Sequence, residues 1–344
     1  MHLKMRALCV KAPKQEAELV REKLLRLGVL IRNLKIKRDD FFVYIPVSEK
    51  VELGYELLEL ELEPVAKESR DYKELLKLPE ELHDLLPKSF DIIGDICVIK
   101  LDNSLLSYKK EIGNALLKTL KNLRVVCTDS GVKEELRVRH LEIIAGENRT
   151  QALHTEHGIK LRLDLAKVYF SPRLASEHYR VAKQVKEGEI IIDMFAGVGG
   201  FSIMIAKHRK PEKIYAIDLN PYAIEYLKEN IKLNKVSNIL PLSGDAKELI
   251  KAKKTEKADR IIMDLPLGAF EFFDCALEAL KDFGIIHYYD IIERGYISDR
   301  LSQLEAQCKK FNYRMEVGEL RTIKSYSATE VHVGIDLKLQ KCVK

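Results

Sequence analysis

One stretch constrains the fold more than any other: Glu189-Ile190-Ile191-Ile192-Asp193-Met194-Phe195-Ala196-Gly197-Val198-Gly199-Gly200-Phe201-Ser202. A β-branched run this apolar reads as a strand buried on both faces, the mark of a parallel sheet covered by helices. It ends in an acidic residue, passes through a glycine-rich turn and enters an apolar helical pattern. Gly197, Gly199 and Gly200 accept backbone angles that other residues resist, and the helix that follows presents unpaired N–H groups at its first turn. A strand-loop-helix unit of this kind holds nucleotide-like ligands at the carboxyl edge of a parallel sheet.

Neighbouring segments narrow the ligand. Lys213-Ile214-Tyr215-Ala216-Ile217-Asp218 is a second strand, and Asp218 lies 21 residues beyond Gly197, where a carboxylate can take both hydroxyls of a ribose. A nicotinamide dehydrogenase would share that much, but its G-x-G-x-x-G fingerprint does not call for an acidic strand end. Here the pattern is D-x-F-x-G-x-G. A third strand ends in Ser243-Gly244-Asp245-Ala246, and a fourth, Arg260-Ile261-Ile262-Met263, runs into Asp264-Leu265-Pro266. Four successive strand ends carrying Asp193, Asp218, Asp245 and Asp264 resemble the class I S-adenosylmethionine-dependent methyltransferases. Four helix N-caps in an ordinary α/β domain would leave the same acids.

At 344 residues, the chain calls for two or three domains. Residues 1–63 read as a small α/β module: strand Lys4–Val10, helix Lys14–Leu27, and a strand pair, Leu34–Lys37 and Phe41–Tyr44. Residues 64–80 read as a linker or exposed helix, being charged and poor in aromatics. An α+β middle domain follows over 81–170. It holds a turn and strand through Pro87–Ile99, a helix Leu105–Leu123, and consecutive short strands at Val125–Thr128, Val138–Ala145, Gln151–His154 and Ile159–Asp164 in an antiparallel pattern. From 171 to 344, strand and helix alternate as in a doubly wound, Rossmann-like sheet. Asn220-Pro221 supplies a helix cap, Gly284 breaks a helix before the strand Ile285–Tyr289, and Val331–Leu337 alternates like an antiparallel last strand.

Charged residues make up 32% of the chain, above the usual roughly 25%, which points to a heat-adapted source with ion-pair networks. Net charge is only +5, so any nucleic-acid surface must be local. The six scattered cysteines form no C-x-x-C pair, which argues against a structural metal or a disulfide framework. With neither a signal-peptide pattern nor a membrane-length apolar run, a soluble, cytoplasmic monomer is expected.

The basic stretch from Arg137 to Arg180 carries the substrate argument. It holds four of the nine histidines (His140, His154, His157, His178), and alternation places Arg137 and Arg139 on one strand face. An arginine fork suits phosphate and guanine O6; a solvated face paired with Glu134, Glu135, Glu142 and Glu147 fits the composition equally.

The motifs R-x-R-x-L-E-x-x-A-G-E-N at 137–148, V-Y-F-S-P-R-L at 168–174, H-Y-Y at 287–289 and Lys324-Ser325-Tyr326 then decide between them. With the glycine loop and Asp264-Leu-Pro, they resemble the archaeal and eukaryotic tRNA (guanine-37-N1)-methyltransferase family over roughly residues 90–340. The 1–63 module is similar to that family's small tRNA-elbow domain.

This resemblance implies an enzyme that uses S-adenosylmethionine to methylate N1 of guanosine 37. Glu177 would take the N1 proton, made a better base by partial desolvation, and Arg137 would stabilise charge on O6. Tyr169, His178, Asp193, Phe195, Gly197, Gly199, Asp218, Leu219, Asp245, Ala246 and Asp264 would surround the cofactor. Arg139, Asn148, Arg149, Arg173, Asn220 and Pro266 would meet the tRNA, whose target base must be splayed out of its stack.

Two departures stand out: His178 where the family commonly has arginine, and Asp264 where it has asparagine. Both put narrow substrate identity in question. A bifunctional branch that also C-methylates the tricyclic intermediate 4-demethylwyosine is therefore an alternative, as are aminocarboxypropyl transfer (against which Ser171-Pro172-Arg173 speaks) and a tRNA-binding module without catalysis.

Overall fold

Val10, Ala12, Val43, Ile45 and Val47 alternate along neighbouring strands and close over Val20 and Leu24 of one helix, which builds the first of two units, Met1–Glu74 and Leu75–Lys344. The computed structural model describes residues 4–64, 71–133 and 138–342. In the first unit the elements are β1 (Met5–Pro13), α1 (Ala17–Arg26), β2 (Lys37–Arg38), β3 (Phe42–Val47) and β4 (Glu56–Leu62). They form an antiparallel sheet ordered β2-β3-β1-β4. The last strand was legible in the alternating Glu-Leu-Leu-Glu-Leu-Glu-Leu, although sequence reading had left it out.

The second unit opens with a short helix α2 (Glu80–His83), then β5 (Asp91–Ile93), β6 (Ile96–Ile99), α3 (Lys109–Thr119), β7 (Val125–Lys133), β8 (Val138–Gly146), β9 (Gln151–Glu156) and β10 (Ile159–Asp164). Three expectations change here. The single strand expected before Ile99 is a hairpin, because Gly94 takes a left-handed φ of 60° and turns the chain. The pattern is also not antiparallel throughout, since β6 and β7 run parallel with α3 as their crossover. The long helix expected from Leu105 begins as a 3-10 turn, Asn103–Tyr108, and the α-helix proper ends at Thr119.

β9 and β10 form their own hairpin. Its outer edge is closed by side chains of the helix Pro221–Asn234.

The remaining elements are α4 (Ala175–Gln184), β11 (Ile190–Asp193), α5 (Gly200–His208), β12 (Lys213–Asp218), α6 (Pro221–Asn234), β13 (Ile239–Ser243), α7 (Ala246–Lys251), β14 (Ala258–Met263), α8 (Phe273–Ala279), β15 (Leu280–Glu293), α9 (Ile297–Lys310), β16 (Tyr313–Ser325) and β17 (Glu330–Lys341). They build a seven-stranded sheet ordered β13-β12-β11-β14-β15-β17-β16. The first five strands are parallel, and β17 is inserted antiparallel between β15 and β16. Apolar residues of α4, α5 and α6, such as Val181, Ile203 and Leu227, cover one face; those of α7, α8 and α9, such as Ile250, Phe273 and Leu304, cover the other.

Asn230 and Asn234 of α6 each bond both the N–H and the C=O of one β10 residue, Arg162 and Lys160 respectively, at 2.7–2.9 Å. One helical turn thus matches a two-residue strand step and satisfies a buried strand edge. Gly284 lies within β15 and does not break a helix. A Cβ there would sit 2.6 Å from Leu280 Cδ1 and 2.9 Å from the Asp259 carbonyl, so close packing explains the glycine. Among the described residues no helix is long and apolar enough to cross a membrane.

Candidate active site

Because β13, β12, β11 and β14 are adjacent and parallel, Asp218, Asp193, Asp245 and Asp264 emerge along one sheet edge. The strand order reverses between β11 and β14, which opens a crevice where ligands of such sheets bind. Asp193 ends β11 fully buried. Ser202 Oγ donates to its Oδ2 at 2.7 Å, while Oδ1 has no hydrogen bond among the described residues. Burial, with added repulsion from Asp264 and Asp218, pushes its carboxyl up to about 7 against the pull of the Ser202 hydroxyl.

The turn that follows is held by backbone bonds from Ala196 N to Ile217 O and from Gly197 N to Asp218 Oδ2, at 2.8 and 2.7 Å. Asn220 N donates to the other Asp218 oxygen at 2.8 Å. Burial pushes the Asp218 carboxyl up in spite of these two N–H donors. Gly197 has φ of 53°, and a Cβ there would meet open space. Gly199, at φ of 101°, is different: its Cβ would strike Leu227 and Ile203 at 2.6 and 2.7 Å. Phe195 packs edge-on to Phe272 at 5.0 Å, Asp245 caps α7, Ala246 is buried and Leu219 is exposed.

Glu177 and His178 sit in the first turns of α4, both buried. Arg321 from β16 grips Glu177 with Nε and Nη2, each at 3.0 Å. Arg180 Nε adds contacts of 3.1 and 3.2 Å, and Tyr289 Oη donates at 3.0 Å. Desolvation was expected to raise this carboxyl. Burial does push it up, but the Arg321 and Arg180 guanidiniums outweigh that and hold it below the ordinary range.

Behind Glu177, Arg180 forks onto Asp336 at 2.7 and 3.0 Å, and Asp336 accepts from His287 Nδ1 at 2.7 Å. Arg260 Nη1 donates to His287 Nε2 at 2.7 Å and pairs with Glu189. Burial drives His287 down to about 4, so the ring is a neutral relay.

Tyr289 ties this network to the glycine loop, its ring 5.5 Å from Phe201. His178 also reaches the loop, edge-on to Phe201 at 4.5 Å.

Arg137 and its neighbours Glu134 and Glu135 lie outside the described residues. Arg139 donates to Asp91 and to the Phe170 carbonyl, with its guanidinium 5.8 Å from the Tyr169 ring. Arg173 Nε bonds the other Asp91 oxygen at 2.8 Å. Lys324, half-buried, is influenced by this pair, by Asp91 and by Asp264; burial, Arg173 and Arg139 push its ammonium down.

Three residues expected to meet tRNA are engaged otherwise. Arg149 spends its donors on Asp95, Glu147 and the Gln151 carbonyl. Asn220 is buried, capping α6 and donating to the Lys167 carbonyl. Pro266 is buried, its carbonyl accepting from Ile291 N. Asn148 is exposed.

Sequence reasoning did not single out Arg180, Arg321, Asp336 or Glu156 as site residues. A faint signal existed for Asp336, the one acid in the apolar run Val331–Leu337.

Comparison with known proteins supplies relatives across the whole length. Residues 152–316 match the TRM5/TYW2 methyltransferase domain, 72–150 the TYW2 N-terminal domain, and 9–56 the tRNA methyltransferase 5 N-terminal domain. The tRNA (guanine(37)-N(1))-methyltransferase Trm5b of Pyrococcus abyssi is 46% identical over 96% of this chain and 99% of its own. Its crystal structure superposes with a TM-score of 0.79. The complex of aTrm5 with tRNALeu is similar at 36% identity and a TM-score of 0.78, over 96% of this chain and 99% of that one. The tRNA 4-demethylwyosine(37)-methyltransferase Taw21 of Saccharolobus solfataricus is 37% identical over 77% of this chain and 99% of its own.

Proposed function

The chain belongs to the TRM5/TYW2 methyltransferase family, and from that membership we propose that it methylates N1 of guanosine 37 in tRNA with S-adenosylmethionine. The observation that carries this reading is one cluster of side chains in which an ionised Glu177 is joined to the start of the helix after the glycine loop through Tyr289, His178 and Phe201.

The residues at the loop fit the cofactor. Asp193 offers a buried carboxylate oxygen without a partner to a ligand that carries ammonium and sulfonium charge. Asp218 is fixed by two backbone N–H groups with lone pairs left for ribose hydroxyls. Gly197 leaves room beside the main chain, and Asp245 with Ala246 stands at the next strand end for adenine. When bound, the cofactor supplies an electrophilic methyl group.

Guanine N1 must lose its proton as the new N–C bond forms. Glu177 is ionised and accepts that proton; its low basicity is offset by position rather than by a raised pKa. In the state described here its oxygens are occupied by Arg321, Arg180 and Tyr289, so meeting N1–H requires Arg321 to release a contact. The freed guanidinium is then beside the base whose O6 gains charge, a task that Arg137 shares in this reading. Arg173, exposed beside Lys324 and backed by Arg139 on the shared Asp91, offers a cation to phosphates of the anticodon loop. The 1–63 module is assigned to the tRNA elbow, 64–80 to a linker, 81–170 to tRNA binding and part of the active site, and 171–344 to the methyltransferase domain.

Incubation with labelled S-adenosylmethionine and transcripts bearing G or A at position 37 tests the proposal. Labelling confined to the G37 transcript is expected, and equal labelling of both would refute it.

The similarity to Taw21, together with Asp264 in the place of an amide, favours a second reading in which 4-demethylwyosine at position 37 is also C-methylated. Mass spectrometry of nucleosides from tRNA carrying that intermediate separates the two readings, by the gain of one methyl or none.

A further inference from the structure

Glu156, the last residue of β9, is a buried carboxylate, its side chain 3% exposed. Ionised groups are kept in such places only when paired, and two histidines pair it. His178 Nδ1 lies 2.6 Å from Oε1 in a hydrogen bond, whereas His154 Nε2 faces Oε2 at 3.5 Å as an ion-pair contact without a hydrogen bond. Burial pushes the Glu156 carboxyl up, but the two histidines outweigh it and hold the group at about 2, so it is an anion and an acceptor.

The geometry then fixes both rings. Gly94 N donates to His154 Nδ1 at 3.3 Å, which turns that ring's Nε2–H toward Glu156. His178 must donate from Nδ1, which leaves Nε2 as its only corner for a ligand.

That corner lies at the first turn of α5. A Cβ built on Gly200 would fall 2.5 Å from His178 Cε1 and 2.7 Å from Nε2. Gly200 is therefore a glycine because the imidazole edge fills the space where a side chain would be. Among the described residues nothing hydrogen-bonds His178 Nε2. Asp193, whose Oδ1 has no hydrogen bond among the described residues, is close enough to interact with His178. An imidazole nitrogen, a lone carboxylate oxygen and the free N–H groups of a helix start form one polar corner, suited to the ammonium and carboxylate of an amino acid.

We infer that Glu156 is a positioning residue: it locks His178 so that Nε2 meets the amino-acid end of the cofactor. The inference rests on the S-adenosylmethionine reading and adds to it a residue more than 35 positions before the glycine loop, on a different strand system. It also gives the His178 departure a meaning, since a short ring needs a fixed anchor where a longer arginine could reach unaided.

Calorimetric titration with two ligands tests it. S-adenosylhomocysteine has the amino-acid end; 5′-methylthioadenosine keeps the nucleoside and sulfur but lacks it. In Glu156→Leu, affinity for the first is expected to fall about tenfold or more, the scale of one charge-assisted hydrogen bond, while affinity for the second changes less than about twofold. Glu156→Gln keeps an oxygen of the same reach for Nδ1–H and is expected to recover most of the loss; it also serves if the leucine variant does not fold. Equal weakening of both ligands, or no change in either, would overturn the role of Glu156. Failure of the unaltered protein to bind either ligand would instead overturn the cofactor reading.

Discussion

The acids around the glycine loop and those around Glu177 are both buried, and the protein treats them in opposite ways. Among the described residues, Asp193 and Asp218 are given hydroxyl and backbone N–H donors but no guanidinium or ammonium hydrogen bond, and burial leaves their carboxyls raised. Glu177 and Asp336 are wrapped by Arg180, Arg321 and His287, which outweigh burial and hold both well down. A buried acid left short of positive charge is a receptor for a cation. A buried acid already neutralised is scaffold, or a base whose ionisation is guaranteed. The pocket thus separates the side that must accept sulfonium and ammonium charge from the side that must accept a proton.

The largest expected effect is on the neutralised side. Asp336→Leu leaves Arg180 Nη1 and Nη2 without the Asp336 carboxylate beside a buried neutral His287, with the Nε contacts to Glu177 remaining, and a loss of about 3–5 kcal/mol in denaturant unfolding is expected. A loss below about 1 kcal/mol would mean that the network is not a tight unit.

Asp193→Asn should invert the pattern. Stability at pH 7 changes little, whereas affinity for S-adenosylhomocysteine falls by about 10–100-fold in calorimetry, the worth of one charged hydrogen bond. A strongly destabilised variant would show that Asp193 is scaffold as well.

The pH dependence follows from the same contrast. Because folding raises the Asp193 carboxyl to about 7, its contribution to stability is full below about pH 4 and is lost as pH rises through 7. Cofactor affinity runs the other way, rising across that range as the carboxylate forms; Asp264, Asp218 and His178 are the titratable neighbours acting on it. Glu177 and Asp336 are lowered on folding, so their stabilisation holds above about pH 4 and is lost on acidification. Unfolding and titration series from pH 3 to 9, with Asp193→Asn flat through 7, are the expected result.

The smallest effect is expected at Gly197→Ala, about 1 kcal/mol in unfolding, since φ is left-handed but the space is open. A loss several times larger would place hidden packing at that turn.

How legible each side was in the sequence follows from distance along the chain. The receptor side is local. A strand, its terminal acid and three glycines fall within a dozen residues, and Asn220-Pro221 announced the cap that the structure shows. The neutralised side joins residues 144 to 156 positions apart, Arg321 with Glu177 and Arg180 with Asp336. Such pairs depend on β17 being inserted beside β15, a register that no local pattern encodes. Glu177 itself could be named from its motif, but not its two arginines, and so its carboxyl was expected to move in the wrong direction. Arg149 and Asn220 were placed at the tRNA by the family resemblance, whereas the structure pairs them with partners on β9 and the β5–β6 turn and with the Lys167 carbonyl.

Single-turnover transfer to G37 tRNA by Glu177→Gln, at saturating cofactor and tRNA, tests the central claim most directly. The account predicts a rate lower by about 100-fold or more, the usual worth of a positioned base, with both ligands still bound. An undiminished rate would mean that Glu177 does not take the N1 proton.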